Sequence, residues 1–452
     1  MKEESCFKAY DIRGQIPTQL NEDVVYKIGC AYAEFLKPEK VIVGHDMRLS
    51  SRSLTDSLIK GLTDYGVNVY DIGLCGTEEV YFATAHTKFD GGIMVTASHN
   101  PKDYNGLKLI KEQAKPISMD TGLAVLRDMV AENNFKKSEK PAGKVIEANY
   151  REQYIEHLLS YINLDEIKDY NVVMNPGNGC ASLATDILSE RIPGNFIKIH
   201  NEPDGHFPNG IPNPLLPENR GVTIDAIGKN KADLGIAWDG DFDRCFFFDE
   251  NGRFIEGYYL VGLFAEYFLD QKTGQKIVYD PRVIWNTIDL VTKYSGIPVV
   301  SKGGHSFIKD KMRSEDAVYG GEMSAHHYFR DFSYCDSGMI PWIVLLQIMS
   351  RSGKSLSQLV DERIELYPSS GEINRTVEDA DVSIQKIKDY FADDAISISE
   401  IDGVSLEFEQ WRFNLRKSNT EPLLRLNVES RADVPLMEEK TALLVKLIEN
   451  RD

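Results

Sequence analysis

The stretch VIVGHDMRLSSRSLTDSLIKGLTDYGVNVYDIGLCGTEEVYFATAHTKFDGGIMVTASHNP, residues 41–101, holds three short β-rich runs separated by two amphipathic ones. Val41–His45 predicts a strand, Ser50–Tyr65 a helix, Val67–Ile72 a strand, Glu78–His86 a helix and Gly92–Thr96 a strand. Strands that alternate with helices argue for βαβ units on a mainly parallel sheet. The pattern recurs at Asn171–Met174 with a helix from about Ala181, and at Asp233–Ala237. It returns at Lys276–Tyr279, Pro298–Ser301 and Ala317–Gly320. Three successive α/β units with mainly parallel mixed sheets are therefore expected. From about residue 368 the pattern changes. Gly371–Val377, Ser405–Phe408, Trp411–Leu415 and Leu424–Val428 alternate apolar and polar residues, which suits antiparallel strands with one wet face. A closing helix, Val434–Ile448, covers the other face, making a C-terminal α+β domain. Turn-rich clusters at Lys140–Lys144, Asp249–Gly252 and Pro368–Gly371 place the domains at 1–143, 144–249, 250–367 and 368–452.

Composition narrows the function. The 452 residues are 42% hydrophobic and 27% charged, an ordinary globular balance. Seventy acidic against 51 basic residues give a net charge of −19, which disfavours nucleic acid and anionic membranes as partners. The N-terminal MKEESCFKAYDIRG has no signal-peptide core, and the apolar run Met339–Met349 is too short to span a bilayer and reads as a core helix. Six scattered cysteines suggest neither a disulfide framework nor a zinc site. These features point to the cytoplasm.

Four motifs carry chemistry. TASHNP, Thr96–Pro101, follows a strand, where open α/β sheets bind ligands. Ser98 there suits a nucleophile or phosphoryl carrier beside His99, although Ser98 and Asn100 also suit turn capping. DGDFDR, Asp239–Arg244, follows the DLGIAW strand on a loop that Gly240 makes flexible. Its carboxylates Asp239, Asp241 and Asp243 are hard oxygen ligands for Mg²⁺ or Mn²⁺, and Arg244 is a donor to a nearby anion. A solvated acidic turn is the plainer alternative. GGEMSAH, Gly320–His326, alternates Glu322, Ser324 and His326, which an extended loop would project to one side to read sugar hydroxyls. Capping and surface polarity account for that motif equally well. RKSNTEP, Arg416–Pro422, gathers Arg416, Ser418, Asn419 and Thr420 between two strands, a phosphate cradle by composition or an ordinary polar hairpin.

All four motifs, in this order, resemble the α-D-phosphohexomutase superfamily. The resemblance runs from Tyr10–Gly14 (YDIRG) to the last loop. The narrower likeness, to bacterial phosphomannomutases of the GDP-mannose pathway, rests on Cys6–Gly14, Pro208–Pro217, Gly320–Phe332 and Trp411–Pro422. The resemblance implies four domains around a central cleft. It implies interconversion of mannose 6-phosphate and mannose 1-phosphate through a phosphoserine and a bisphosphorylated sugar, supplying GDP-mannose for polysaccharide synthesis. Ser98 matches the phosphorylated serine, also a ligand to one Mg²⁺ held by Asp239, Asp241 and Asp243. Arg13, His99, Lys108 and His305 match positions near the transferring group, with Lys108 or else His305 as general acid/base. Tyr10, Arg244, Arg282, Glu322, Ser324, His326, Arg416, Ser418, Asn419 and Thr420 are the implied substrate contacts. The implied partners are sugar phosphates, with a sugar bisphosphate as activator. Ala325 stands where many relatives carry Gly, and Arg282 where some broad-specificity relatives carry Lys. Glucose-phosphate or dual-specificity mutases are the nearest alternatives, and a metal-dependent sugar phosphatase is a remote one. The site cations Arg13, Lys108, Arg244, Arg282, His305 and Arg416 reconcile an acidic chain with an anionic substrate.

Overall fold

Leu54, Leu58 and Leu62 recur every fourth residue, and in the computed structural model, which describes residues 3–135, 140–417 and 423–449, they line the buried face of the helix Ser51–Asp64. The neighbouring strands lie at Lys40–His45, Asn68–Leu74 and Gly91–Val95, with the second helix at Thr77–His86, each end within two residues of the sequence reading. The chain forms two compact units: Met1–Phe254 with Asp331–Gly353, and Ile255–Arg330 with Lys354–Asp452.

The first unit holds two mixed sheets. In one, the strands follow the order Ile12–Gln15, Tyr104–Lys111, Gly91–Val95, Lys40–His45, Asn68–Leu74, Val145–Glu147. Lys40–His45 pairs in parallel with both neighbours, and Tyr104–Lys111 runs antiparallel to Gly91–Val95. In the other, Leu234–Trp238 lies parallel to Asn171–Asn175 and antiparallel to Cys245–Phe248. Gly91–Val95 and Leu234–Trp238 are buried at every position, so the two motif-bearing loops leave from fixed points. The core helix expected near Met339 is Ile340–Ser352. The buried Glu78 carboxylate accepts from Gly338 N at 3.0 Å and Met339 N at 3.1 Å at its start.

The second unit carries a mixed sheet and an antiparallel one. Lys276–Tyr279 lies between the parallel strands Ile297–Val300 and Tyr319–Gly321, and His327–Phe329 returns antiparallel to Tyr319–Gly321. The last sheet is antiparallel in the order Ile373–Thr376, Leu423–Ser430, Trp411–Lys417, Val404–Glu407, Ser397–Ser399. Its apolar face (Phe413, Leu415, Leu424, Leu426) packs against the helices Ala380–Phe391 and Val434–Ile448. The opposite face is not wet. Arg412, Asn414, Asn427 and Glu429 are buried. Arg412 and Glu429 pair at 2.7 Å. Arg412 donates to Pro281 O at 2.9 Å and Arg282 O at 3.0 Å, while Glu429 accepts from Ile284 N at 2.8 Å. Alternation marked two faces correctly. The polar face is covered because it hydrogen-bonds the backbone on both sides of Arg282.

All six cysteines are free and buried. No described helix is long and apolar enough to cross a membrane.

Candidate active site

Ser98 sits where the Gly91–Val95 strand ends, with a positive φ of 49°. A serine rarely adopts that conformation, and here four fixed carbonyls hold it. The buried Arg48 guanidinium donates to the carbonyls of Ser98, Asn100, Pro101 and Tyr104 at 2.6–2.9 Å. Asp46 accepts from Thr96 Oγ1 at 2.8 Å, and Thr96 Oγ1 accepts from Ser98 N at 2.9 Å. These four carbonyls are thus spent on Arg48, and the Ser98 hydroxyl takes no part in the clamp.

That hydroxyl donates to Asp239 Oδ2 at 2.8 Å. Gly240 permits this proximity, since a Cβ there would lie 2.6 Å from the Ser98 carbonyl oxygen. Its role is close approach rather than flexibility. Asp239, Asp241 and Asp243 are all buried, and each offers a carboxylate oxygen within 4.8 Å of the others. Asp241 Oδ2 accepts from Thr77 Oγ1 at 2.5 Å and Lys108 Nζ at 2.7 Å, and Lys108 also pairs with Asp243. Arg244 donates to Asp239 from Nε at 3.0 Å and Nη2 at 2.7 Å. Asp241 Oδ1, although buried, has no hydrogen-bond partner among the described residues. An all-oxygen donor set with an unspent carboxylate oxygen fits a hard divalent cation.

Burial raises the Asp239 pKa. Burial and Asp243 also push Asp241 upward, but the charge and hydrogen bond of Lys108 outweigh them and leave it lowered. For Lys108, burial favours the neutral amine, but Asp241 and Asp243 prevail and its pKa is raised. The two carboxylates thus favour the ammonium form of Lys108. Burial, then the charges of Arg244 and Arg13, hold His99 well below its usual value. Its Nδ1 accepts from Arg244 Nη2 and lies 3.0 Å from Ser98 Oγ. Arg13 reaches the same loop, donating to Asn100 Oδ1 at 2.6 Å and Asp11 Oδ2 at 2.8 Å. Tyr10 lies in the bend just before Arg13's strand.

The second unit gathers the other motifs. Arg282 donates to Asp280 from Nε and Nη2, both at 2.8 Å, and Asp280 also accepts from Met323 N at 2.7 Å. Glu322, Ser324 and His326 do converge, but on a hairpin turn and not an extended loop. Glu322 N donates to His326 O at 2.9 Å, Ala325 N to Glu322 O at 3.1 Å, and Ala325 has φ 67°. His326 Nδ1 lies 3.3 Å from Ser324 Oγ and 3.4 Å from Glu322 Oε2. Glu322 also accepts from Gly304 N at 2.8 Å and from the Tyr328 hydroxyl. Burial raises its pKa against the pull of Arg282. His305 opens the helix His305–Glu315. Arg416 pairs with Glu372 at 3.2 Å. Ser418, Asn419 and Thr420 lie outside the described residues.

Several residues escaped sequence reading. Arg48 and Asp46 clamp the serine loop, Thr77 fixes Asp241, Asp280 orients Arg282, and Glu372 and Arg425 join Arg416. The DMR that follows the strand Lys40–His45 was the one available signal, because it also stands at a strand end.

Mixed α/β sheets with polar centres at their strand ends, followed by an antiparallel α+β domain, define a class of multidomain α/β enzymes. Four models of the phosphoglucomutase/phosphomannomutase family match in order. The alpha/beta/alpha domains I, II and III match residues 4–136, 152–252 and 256–367, and the C-terminal domain matches 372–444. The chain is 54% identical over 454 residues to a phosphomannomutase of Escherichia coli K12, covering 99% of this chain and 100% of that one. It is 55% identical over 443 residues to a Xanthomonas campestris protein named phosphohexose mutases, covering 98% and 99%. A crystal structure of a Burkholderia thailandensis phosphoglucomutase/phosphomannomutase family protein superposes with a TM-score of 0.87 at 30% identity, covering 99% of this chain and 98% of that one. The chain belongs to the phosphoglucomutase/phosphomannomutase family, and it is an isomerase of the intramolecular phosphotransferase type.

Proposed function

We propose that this enzyme is a phosphomannomutase that interconverts mannose 6-phosphate and mannose 1-phosphate. The observation that carries the reading is Ser98 Oγ, held on a clamped loop 2.8 Å from the buried Asp239. The name of the Escherichia coli relative supports mannose as the sugar. The family's description as phosphoglucomutase/phosphomannomutase favours a second reading, in which glucose phosphates are substrates as well.

In the proposed cycle Ser98 carries a phosphoryl group. Its P–Oγ bond breaks as a P–O bond forms to the free sugar hydroxyl, whose proton passes to a basic group. The bisphosphorylated sugar reorients, and its other phosphate returns to Ser98. Phosphoryl transfer is catalysed chiefly by positioning and charge stabilisation. Asp239, Asp241 and Asp243 would hold Mg²⁺, which supplies positive charge to the transferring oxygens when bound. Arg244 and Arg13 position donors around Ser98. Neutral His99, already accepting from Arg244, fixes that guanidinium. Lys108, protonated between two aspartates, suits the donation of a proton to a departing oxygen, with His305 the alternative acid/base. Glu322, Ser324 and His326 read sugar hydroxyls, Tyr10 and Arg282 contact substrate, and Arg416 with Ser418, Asn419 and Thr420 holds the phosphate not in transfer. We further propose domain borders at 143/144, 249/250 and 367/368, a sugar bisphosphate as activator, a cytoplasmic location and a product that feeds GDP-mannose synthesis.

The test is to incubate the enzyme with mannose 1-phosphate, Mg²⁺ and a trace of sugar bisphosphate. Mannose 6-phosphate is expected. Inorganic phosphate as the main product would make it a phosphatase, and neither product would end the mutase reading. A parallel run with glucose 1-phosphate decides between single and dual specificity.

A further inference from the structure

Arg282 stands on the irregular stretch between the end of the strand Lys276–Tyr279 and the start of the helix Trp285–Lys293. The N–H groups that open a helix have no intrahelical acceptor, and an irregular stretch has no ladder, so both need outside partners. Arg412 and Glu429 supply them. Arg412 donates from Nη2 to Pro281 O at 2.9 Å and from Nη1 to Arg282 O at 3.0 Å. Glu429 accepts from Ile284 N at 2.8 Å and from Trp285 N at 3.3 Å. The two side chains lie opposite each other on neighbouring strands of the last sheet and pair at 2.7 Å. They are 2% and 0% exposed, so water hardly competes for these bonds. The Arg282 side chain is held separately. Asp280 Oδ1 accepts from its Nε and Asp280 Oδ2 from its Nη2, both at 2.8 Å. Asp280 Oδ2 also accepts from Met323 N at 2.7 Å, inside the Glu322–His326 turn.

A buried ion pair often stabilises a fold no better than an apolar pair of the same volume, because desolvating two charges offsets their attraction. Apolar side chains at 412 and 429 could cover the stretch around Arg282. They could not bind two carbonyls and two N–H groups in fixed directions. We propose that Arg412 and Glu429 are positioning residues for Arg282, holding the backbone on both sides of it so that its guanidinium meets the sugar phosphate already in place. The proposal rests on the reading above that Arg282 contacts substrate. An arginine held at its side chain by one carboxylate and at its backbone by an ion pair has little freedom left to lose on binding. The same hold extends to the sugar-reading turn, since Asp280 joins Arg282 to Met323 N, and Arg282 Nη2 lies 3.4 Å from Ser324 Oγ and 3.8 Å from Glu322 Oε1.

The experiment compares three variants of the full-length enzyme by the KM for mannose 1-phosphate at saturating sugar bisphosphate, with a thermal melt of each. Arg282→Gln is expected to raise KM about tenfold, the size of one charge-assisted hydrogen bond. Arg412→Lys keeps the charge but replaces a planar fork with a point charge that cannot serve both carbonyls in the same geometry. It is expected to raise the same KM by less, because Arg282 is still present but loosely held. The double variant Arg412→Met with Glu429→Leu removes both buried charges at similar volume, serves where the Lys variant does not fold, and raises KM at least as far. A pair that only stabilised the sheet would lower the melting temperature and the fraction of active enzyme, and would leave KM as it is in the wild type. A wild-type KM in both Arg412 variants beside a raised KM in Arg282→Gln therefore overturns the proposal and leaves Arg282 a substrate contact. A wild-type KM in Arg282→Gln overturns that reading of Arg282 and the proposal with it. If the wild-type enzyme forms no mannose 6-phosphate, the mannose reading falls instead, and the same comparison is made with glucose 1-phosphate.

Discussion

In the first unit three aspartates surround Lys108 and Arg244; in the second, three arginines surround Glu372. Each centre pairs most of its charges internally, as buried charges must. Among the described residues each also has a buried atom without a hydrogen-bond partner, and the two atoms differ in sign. In the acidic centre it is Asp241 Oδ1, an acceptor, and in the basic centre it is Arg416 Nε, a donor. The first suits a cation and the second an anion. The pairs alone would not have said so, since both centres look like satisfied ion pairs.

The centres also differ in how they are held. Ser98 stands in a left-handed conformation because Arg48 binds four neighbouring carbonyls. Ala325 stands in one because the turn from Glu322 to His326 requires it. The first strain fixes the Ser98 hydroxyl beside Asp239, while the second is a cost that glycine would avoid.

The largest effect that would break this comparison is at Ser98. Ser98→Ala is expected to abolish nearly all mutase turnover, and a variant that turns over at the wild-type rate removes the phosphoserine from the mechanism. Next comes the support of the cation cradle. Thr77→Ala takes a hydrogen bond from Asp241 and is expected to weaken Mg²⁺ affinity by about 10- to 100-fold, read by metal titration of activity. Equal affinity would mean that Asp241 does not need that support. On the anion side, Arg416→Ala should raise KM by about tenfold, the size of one charge-assisted hydrogen bond, while Ser98 is still phosphorylated by sugar bisphosphate. An unchanged KM would place the phosphate elsewhere. The smallest effect is Ala325→Gly, expected to stabilise the enzyme by up to about 1 kcal/mol in a thermal melt. A lower melting temperature would show that the alanine side chain repays its strain through packing.

Much of this was legible in the chain. Val41–His45 and its successors alternated cleanly with helices, because their side chains face a local, continuous core. The carboxylates of DGDFDR were legible as a cluster because the three lie within five residues, and the structure buries them within 4.8 Å of one another. The residues that escaped notice act over distance. Thr77 and Asp241 are 164 positions apart, and Arg48 and Ser98 are 50 apart. The polar face of the last sheet was expected to be wet for the same reason. Arg412 and Glu429 look solvent-facing until the backbone of Pro281–Trp285 lies against them.

By itself the sequence determined the order of the folded elements, the sheet types and the chemical character of the loops. These follow from periodicity and from residues close together in the chain. Only the tertiary structure decided which charges neutralise one another and which are left over. Lys108 lies in pairing distance of Asp241 and Asp243, and Glu372 in pairing distance of Arg416 and Arg425. That bookkeeping depends on separations of a few ångströms between residues far apart in the chain, and Coulomb energies fall with distance in space, not along the sequence.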